Sequence, residues 1–230
     1  MTTKKRSFPV RLIKLLIRLI IYFLLITLLW VGLYAFVPPP VTITMLMDEN
    51  GITKDWTPIS DISPNLTDAV IAAEDGKFCS HDGFDRDAII NAIERNRQGG
   101  RIRGGSTISQ QTAKNVFLWQ DGGYFRKGLE AYFTFLIEKI WGKRRIMEVY
   151  LNVAETGIGT YGVQAGSQRY FKKDAADLTK IEAARIAAAL PLPKQRAVNG
   201  ATGFTRRYGN TIAARINVVK NEGLDSCVYK

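Results

Sequence analysis

One histidine, His81, serves all 230 residues, and that scarcity removes zinc chemistry built on two imidazoles at helical spacing. Cysteine is nearly absent as well. Cys79 and Cys227 are the only two, too few for a disulfide framework; they could pair in an oxidising compartment, but free thiols are the safer expectation from sequence. No acid precedes Asp48, so the N-terminal segment carries charge of one sign. Strand-like alternation of apolar and polar residues is almost missing, and no repeat or low-complexity tract occurs. The run Gly104-Gly105-Ser106-Thr107 lacks the next lysine of a phosphate loop and the closing glycine of a nucleophile elbow. A Ser106–His81–acid triad has no spacing to recommend it.

What is present begins with an uncharged run of nineteen residues, Leu19 to Val37. A bilayer core needs about 20 such residues as a helix. Tyr22 near one end and Trp30 and Tyr34 near the other suit the headgroup interfaces, and Pro38-Pro39-Pro40 ends the helix for want of backbone donors. A cleaved signal peptide would have a shorter core, about 7–15 residues, and a small-residue cleavage site. Here the run ends Phe36-Val37-Pro38, so a retained anchor is expected. Lys4, Lys5, Arg6, Arg11, Lys14 and Arg18 precede it and put the N-terminus in the cytoplasm and everything after Pro40 outside.

That topology divides the charge. Of the net +11, six positive charges lie before the span, leaving +5 on the rest. The remainder suits anionic lipid headgroups or a phosphorylated ligand, and nucleic acid is disfavoured as a partner. The expected organisation is a basic tail (residues 1–18), a transmembrane helix (19–37), a linker or stalk (38–60) and one domain (61–230).

Within that domain the pattern is mainly α. Val41 to Met47 alternates apolar residues with threonines and reads as a short strand or stalk. Ser63-Pro64 starts a helix, with serine as cap and proline at the first helical position. A second helix spans about Arg86 to Arg97, with Ile89, Ile90 and Ile93 on its apolar side, and should stop at Gly99-Gly100. Gly99, Gly100, Gly104 and Gly105 with Arg101 and Arg103 form a flexible basic loop, either a lid or a plain connection. Arg126 to Trp141, Arg145 to Leu151 and Lys180 to Leu190 read as further helices, the last ended by Pro191 and Pro193.

Three clusters carry chemistry. Glu74-Asp75 follows the apolar run Ala69 to Ala73, and an acid at the end of a buried helix is poorly solvated, which raises its basicity. Ser106, Gln111 and Lys114, with Asn115, offer hydrogen bonds and a positive charge suited to sugar hydroxyls and phosphate oxygens. Arg126, Lys127 and Glu130 share one helix side. Alone they would be a surface ion pair worth ~0.3–0.5 kcal/mol; two cations beside an acid can also hold a diphosphate, with the acid tuning them or binding a metal. Val116 to Trp119 is apolar and reads as either core or a face dipping into lipid.

In order, these runs resemble the peptidoglycan glycosyltransferases. Glu74-Asp75 through Asp85 and Gly105-Ser106-Thr107-Ile108 through Gln110-Gln111 to Lys114-Asn115 look like that family's first two motifs, and Arg126-Lys127-Gly128-Leu129-Glu130 like the third. Lys143 through Asn152 resembles the fourth, and Tyr161-Gly162-Val163-Gln164-Ala165 with Tyr170-Phe171 a further segment. The chain ends too soon for a transpeptidase domain, so a monofunctional member is expected.

The resemblance implies a mainly α, lysozyme-like fold behind one transmembrane helix, and polymerisation of lipid II into β-1,4-linked glycan strands with release of undecaprenyl diphosphate. It implies Glu74 and Glu130 as catalytic residues. Ser106, Gln111, Lys114, Asn115, Arg126 and Lys127 would bind substrate and diphosphate, with Asp75, Phe78, His81 and Asp85 supporting the first motif. No cofactor is required; a divalent cation, Mg or Mn, is an option at the diphosphate, with Glu130 its candidate ligand. Implied partners are lipid II, the growing lipid-linked chain, the membrane and, as an option, cell-wall or division proteins; the implied location is the bacterial inner membrane. A hydrolytic or lytic enzyme on the same fold, or a non-catalytic scaffold, is the rival reading. In one departure, Gly122 stands where many family members carry arginine.

Overall fold

The computed structural model describes residues 8–97 and 105–229. It divides into two units, one ending at Val37 and one beginning at Pro38. The first contains helix α1, Phe8–Phe36. Its segment Pro9–Phe36 is long and apolar enough to cross a membrane, and its 28 residues reach about 42 Å at helical rise. Its hydroxyl at Thr27 donates to Phe23 O at 2.8 Å, so the polar group is satisfied within the helix. The helix begins well before the uncharged run, taking in Arg11, Lys14 and Arg18, whose long stems can carry their charges toward water. The chain thus carries one N-terminal apolar helix suited to a single-pass anchor.

The second unit is mainly α from its start. Residues 41–47, expected as strand or stalk, hold a short helix α2, Ile43–Leu46, capped by Thr42 Oγ1 accepting from Met45 N at 3.3 Å. The threonine that suggested a strand stops the chain from extending, and Met45 is fully buried. Strand β1 (Thr53–Lys54) follows, then a 3-10 turn at Ile59–Asp61. Helix α3 runs from Pro64 to Glu74. Proline takes the first position as expected, but Ser63 makes no cap: its hydroxyl donates to Leu178 O at 3.0 Å and its N–H to Ala175 O, tying the helix start to a distant turn.

Helix α4 spans Arg86–Arg97, and α5 Ile108–Phe117. The expected apolar side of α4 is open at Ile90, which is 55% exposed. The stop at Gly99-Gly100 and most of the basic loop, with Arg101, Arg103 and Gly104, lie outside the described residues. Helices α6 (Gly123–Ile140) and α7 (Gly142–Val153) come next. Strands β2 (Glu155–Gly157) and β3 (Thr160–Tyr161) complete a small sheet of order β1-β3-β2, with β1 parallel and β2 antiparallel to β3. Helices α8 (Val163–Phe171), α9 (Lys180–Ala189), α10 (Gly203–Asn221) and α11 (Ser226–Tyr229) finish the chain.

The core has two halves. In one, α5 packs on α6 and α7; Phe117 stacks on Phe133 with centroids 4.6 Å apart. Val116, Phe117 and Leu118 are at most 2% exposed, so the apolar face considered for lipid is interior. Glu138 accepts from Ser109 Oγ at 2.5 Å and from Lys143 Nζ at 2.7 Å, joining α5, α6 and α7 through one buried carboxylate. In the other half, α9 lies against both α3 and α10. Its buried residues are mostly alanines, Ala183, Ala184, Ala187, Ala188 and Ala189, which let neighbouring helices approach closely.

Cys79 and Cys227 form a disulfide with Cα atoms 5.4 Å apart, against the expectation of free thiols. Local sequence could not show it, because 148 positions separate them. The return is made by α10 and α11: Arg144 Nη1 donates to Val228 O at 2.6 Å, and Tyr229 Oη donates to Thr67 Oγ1 at 2.9 Å.

Beside this tail Asp68 is 2% exposed, and its Oδ1 has no partner. Burial, with help from Asp225, pushes its carboxyl up to about 7, while Lys220 and Lys180 act against the rise. A folded-state value above the unfolded one favours the protonated fold, so this contribution to stability is full below the ordinary value of 3.8 and is lost as pH rises through about 7. The unfolding midpoint of the wild type should therefore fall between about pH 5 and about pH 8 more than that of Asp68→Asn. Parallel thermal melts that show equal slopes would contradict this.

Candidate active site

Glu74 is the last residue of α3 and Asp75 its C-cap. The two neighbours face different ways. Asp75 turns inward: His81 Nε2 lies 3.0 Å from both of its oxygens, and the Ile108 N–H donates to Oδ2 at 3.0 Å. Gly83 N–H donates to His81 Nδ1 at 3.1 Å, which leaves the ring proton on Nε2 for Asp75. Asp75 therefore joins the turn 75–83 to the first residue of α5, at the positive end of that helix.

The rest of the turn belongs to the scaffold. Phe78 is fully buried beneath Lys143, whose ammonium is 4.6 Å from the ring centroid. Asp85 Oδ1 accepts from Ala88 N at 3.0 Å at the start of α4. Gly83 has φ +89°, and a Cβ there would come within 2.8 Å of Thr134 Cγ2, so only glycine fits the turn against α6.

Helix α5 opens with a capping box. Thr107 Oγ1 accepts from Gln110 N at 3.2 Å, and Gln110 Oε1 accepts from Thr107 N at 3.1 Å. The Thr107 hydroxyl also donates to Gly83 O at 2.6 Å. With its start held by Thr107 and Asp75, α5 presents Gln111 and Lys114 one turn apart.

Gln111 Nε2 donates to Glu74 Oε2 at 2.8 Å, and Gln111 Oε1 faces Tyr150 Oη at 3.4 Å. Glu74 Oε1 is out of solvent and has no partner. Burial pushes the Glu74 carboxyl up and Asp75 adds to this; Gln111 and Arg196 act in the opposite direction. Burial likewise raises the Tyr150 hydroxyl well above its usual range, so it stays a neutral donor at pH 7.

Lys114 lies within the electrostatic reach of the second acid, Glu130. Burial lowers its ammonium, Arg126 and Lys127 lower it further, and Glu130 opposes them. Glu130, on α6, is 2% exposed. Its Oε2 accepts from Arg126 Nη1 at 2.7 Å, and its Oε1 takes Lys127 Nζ. Lys127 also donates to Ser106 Oγ at 3.1 Å. The surface ion pair considered from sequence is thus centred on a buried carboxylate, where breaking one partner costs far more than at a solvated face. Arg126 Nε remains without a partner.

Ser106 precedes α5 and does not share its face; it reaches the site through Lys127. Asn115 Oδ1 accepts from Gln120 Nε2 at 3.3 Å. Gln111, Lys114, Asn115, Trp119 and Tyr150 line a cavity of about 500 Å³. The residues do not fit a metal seat: Glu130 has both oxygens engaged by cations, and among the described residues no three His, Cys, Asp or Glu side chains gather.

Several cavity residues were not singled out from sequence. At its far end Asp48 accepts from Tyr161 Oη at 2.6 Å and from Lys194 Nζ at 3.0 Å, and Lys194 lies 3.6 Å from Glu155. The Tyr161 hydroxyl is the largest influence holding the Asp48 carboxyl well below its usual range. Tyr161 and Tyr150 lie in recognisable motifs, but nothing local marks Asp48 or Lys194. Gly122 caps α6 with φ +134°; a Cβ there would come within 2.7 Å of the Trp119 Nε1 and 3.0 Å of Arg126 Cβ. An arginine at this position would need Trp119 to move.

Two acids on separate helices, one half-buried with an unpartnered oxygen and one buried and wrapped by cations, are joined by the face of α5, beside a cavity of sugar size. The chain belongs to the transglycosylase family, whose model matches residues 42–219. It is 51% identical over 199 residues to the biosynthetic peptidoglycan transglycosylase of Caulobacter vibrioides, covering 85% of this chain and 87% of the relative. The protein of the same description from Rhodospirillum centenum is 47% identical, over 85% and 86% of the two chains. That from Bdellovibrio bacteriovorus is also 47% identical, over 88% and 86%.

Proposed function

We infer that this chain is a peptidoglycan glycosyltransferase that joins lipid II units into β-1,4-linked glycan strands and releases undecaprenyl diphosphate. The observation that supports it most is the pairing of Glu74 with the cation cluster across α5. Glycosyl transfer from a lipid diphosphate needs a base for the attacking hydroxyl and positive charge for the leaving group. In this reading Glu74 Oε1 takes the proton from the 4-hydroxyl of the acceptor sugar while Gln111 holds Oε2. The acceptor oxygen bonds to the anomeric carbon of the growing chain, and the bond from that carbon to the diphosphate breaks. Attack on the face opposite the leaving group inverts the α-linked donor to a β-bond in one displacement.

Lys114, Arg126 and Lys127 receive the diphosphate, with Ser106 and Asn115 beside them. Glu130 is then a holder of cations: it keeps Arg126 and Lys127 in position and prevents their mutual repulsion from spreading them. No step is assigned to a metal. Helix α1 keeps the enzyme on the bilayer that holds both lipid tails. The six cations before the uncharged run favour a cytoplasmic N-terminus, with the catalytic unit outside the inner membrane; a disulfide in that unit suits an oxidising compartment.

Cleavage of glycan is the second reading, since a buried glutamate can also act as an acid. It would need a protonated carboxyl at the leaving sugar and gives no role to three cations. Full-length protein in detergent should convert lipid II to polymer and release nothing from finished glycan. Fragments from glycan with no polymer from lipid II would overturn the synthetic reading.

A further inference from the structure

We propose that Arg196 and Tyr208, outside all the motifs described above, are positioning residues that fix the end of α3 and so hold Glu74 against Gln111 in the cavity wall. The inference rests on the reading of Glu74 as the base. The carbonyl of Ala73 is among the last four of α3, which have no N–H partner within the helix. Tyr208 Oη, on α10, donates to that carbonyl at 2.8 Å. The bond falls one residue before Glu74, at the point where a fraying last turn would swing the carboxylate.

Tyr208 is itself held. Phe204, one turn earlier on α10, stacks on its ring at 5.6 Å with planes 20° apart. The Arg196 guanidinium lies over both rings, 5.2 Å from Phe204 and 5.9 Å from Tyr208. Its Nη1 donates to Ala188 O at 2.8 Å, in the last turn of α9, where a cation suits the negative helix end. One side chain thus ties α9 to α10, and α10 holds α3.

The same guanidinium acts on Glu74 at a distance. Asp75 on the adjoining turn, Gln111 on α5, Tyr150 on α7 and Tyr208 on α10 are the other polar groups around the carboxylate. Of these, Asp75 opposes ionisation of Glu74, and burial keeps the two phenols neutral. Arg196 offsets part of the burial cost of the carboxylate and keeps it available to accept a proton.

The test compares Tyr208→Phe, Arg196→Gln and Arg196→Lys in full-length enzyme turning over lipid II, with kcat and KM separated and thermal midpoints recorded. Tyr208→Phe should lower kcat about tenfold with KM near wild type, the signature of a group that aims a catalytic one. Arg196→Gln should move the acid limb of the kcat–pH profile upward by about one pH unit, and Arg196→Lys should bring it back. An unmoved acid limb in folded Arg196→Gln, or wild-type kcat in folded Tyr208→Phe, overturns the proposal. So does an unfolded Tyr208→Phe combined with an unmoved limb in the arginine variant. If Glu74→Gln remains fully active, the base reading itself has failed; if Glu74→Gln is dead and these variants behave as wild type, only the positioning role has.

Discussion

Glu74→Gln leaves an enzyme that folds and binds its donor but no longer makes polymer. Glutamine matches the shape of the side chain and still reaches Gln111, whose amide can turn to pair with it. It cannot take a proton at pH 7. General-base assistance is worth roughly 10²–10⁴-fold in rate, so turnover of labelled lipid II should fall by at least about a hundredfold while the Kd of a diphosphate-bearing donor analogue holds. The thermal midpoint should stay level or rise, because the substitution removes a carboxylate that burial disfavours. Polymerisation near the wild-type rate would remove Glu74 from the base role.

The second large effect is expected from Cys79→Ser/Cys227→Ser, or from reductant. The disulfide closes a loop across 148 positions, and removing a native crosslink costs about 2–5 kcal/mol in small secreted domains. For a domain of this size the midpoint should drop on the order of 10 °C. The bond also holds the C-terminal helix against the turn that begins at Asp75, so α11 should loosen first. Thermal melts with and without dithiothreitol decide the matter: equal midpoints would mean that the bond constrains nothing the fold does not already hold.

The main site clusters were legible because their chemistry is local. Glu74 through Asp85, Ser106 through Asn115 and Arg126 through Glu130 are each a short contiguous run, and the structure brings all three beside one another. The start of α3 and the bounds of α9 follow from proline and apolar spacing, whereas α6 and α7 each begin three residues before the expected Arg126 and Arg145. Helix α10 was missed because Ile212, Ile216 and Val219 are diluted by arginines, glycine and asparagines, and it becomes a helix by packing on α9. Features set by distant contacts were not readable. Ser63 looks like a cap but bonds Leu178, and Thr42 looks like strand but caps α2. Asp48 gains its role from Tyr161 and Lys194, both more than 100 positions away. Of the two readings open for Val116 to Trp119, core holds for Val116, Phe117 and Leu118, while Trp119 lines the cavity; hydrophobicity alone does not separate lipid from core.

The alanines of α9 set a size ceiling on variation around the catalytic acid. Two helices pack on that one and on each other: α3, which ends in Glu74, and α10, which carries Tyr208. A Cβ placed on Gly209 would already stand 3.8 Å from both Ala184 O and Ala188 Cβ. Any larger residue in the run widens the three-helix stack, and the displacement arrives where Tyr208 meets Ala73. Substitutions that retune this enzyme should therefore accumulate along the open lip of the cavity, with the alanine layer beneath it left alone.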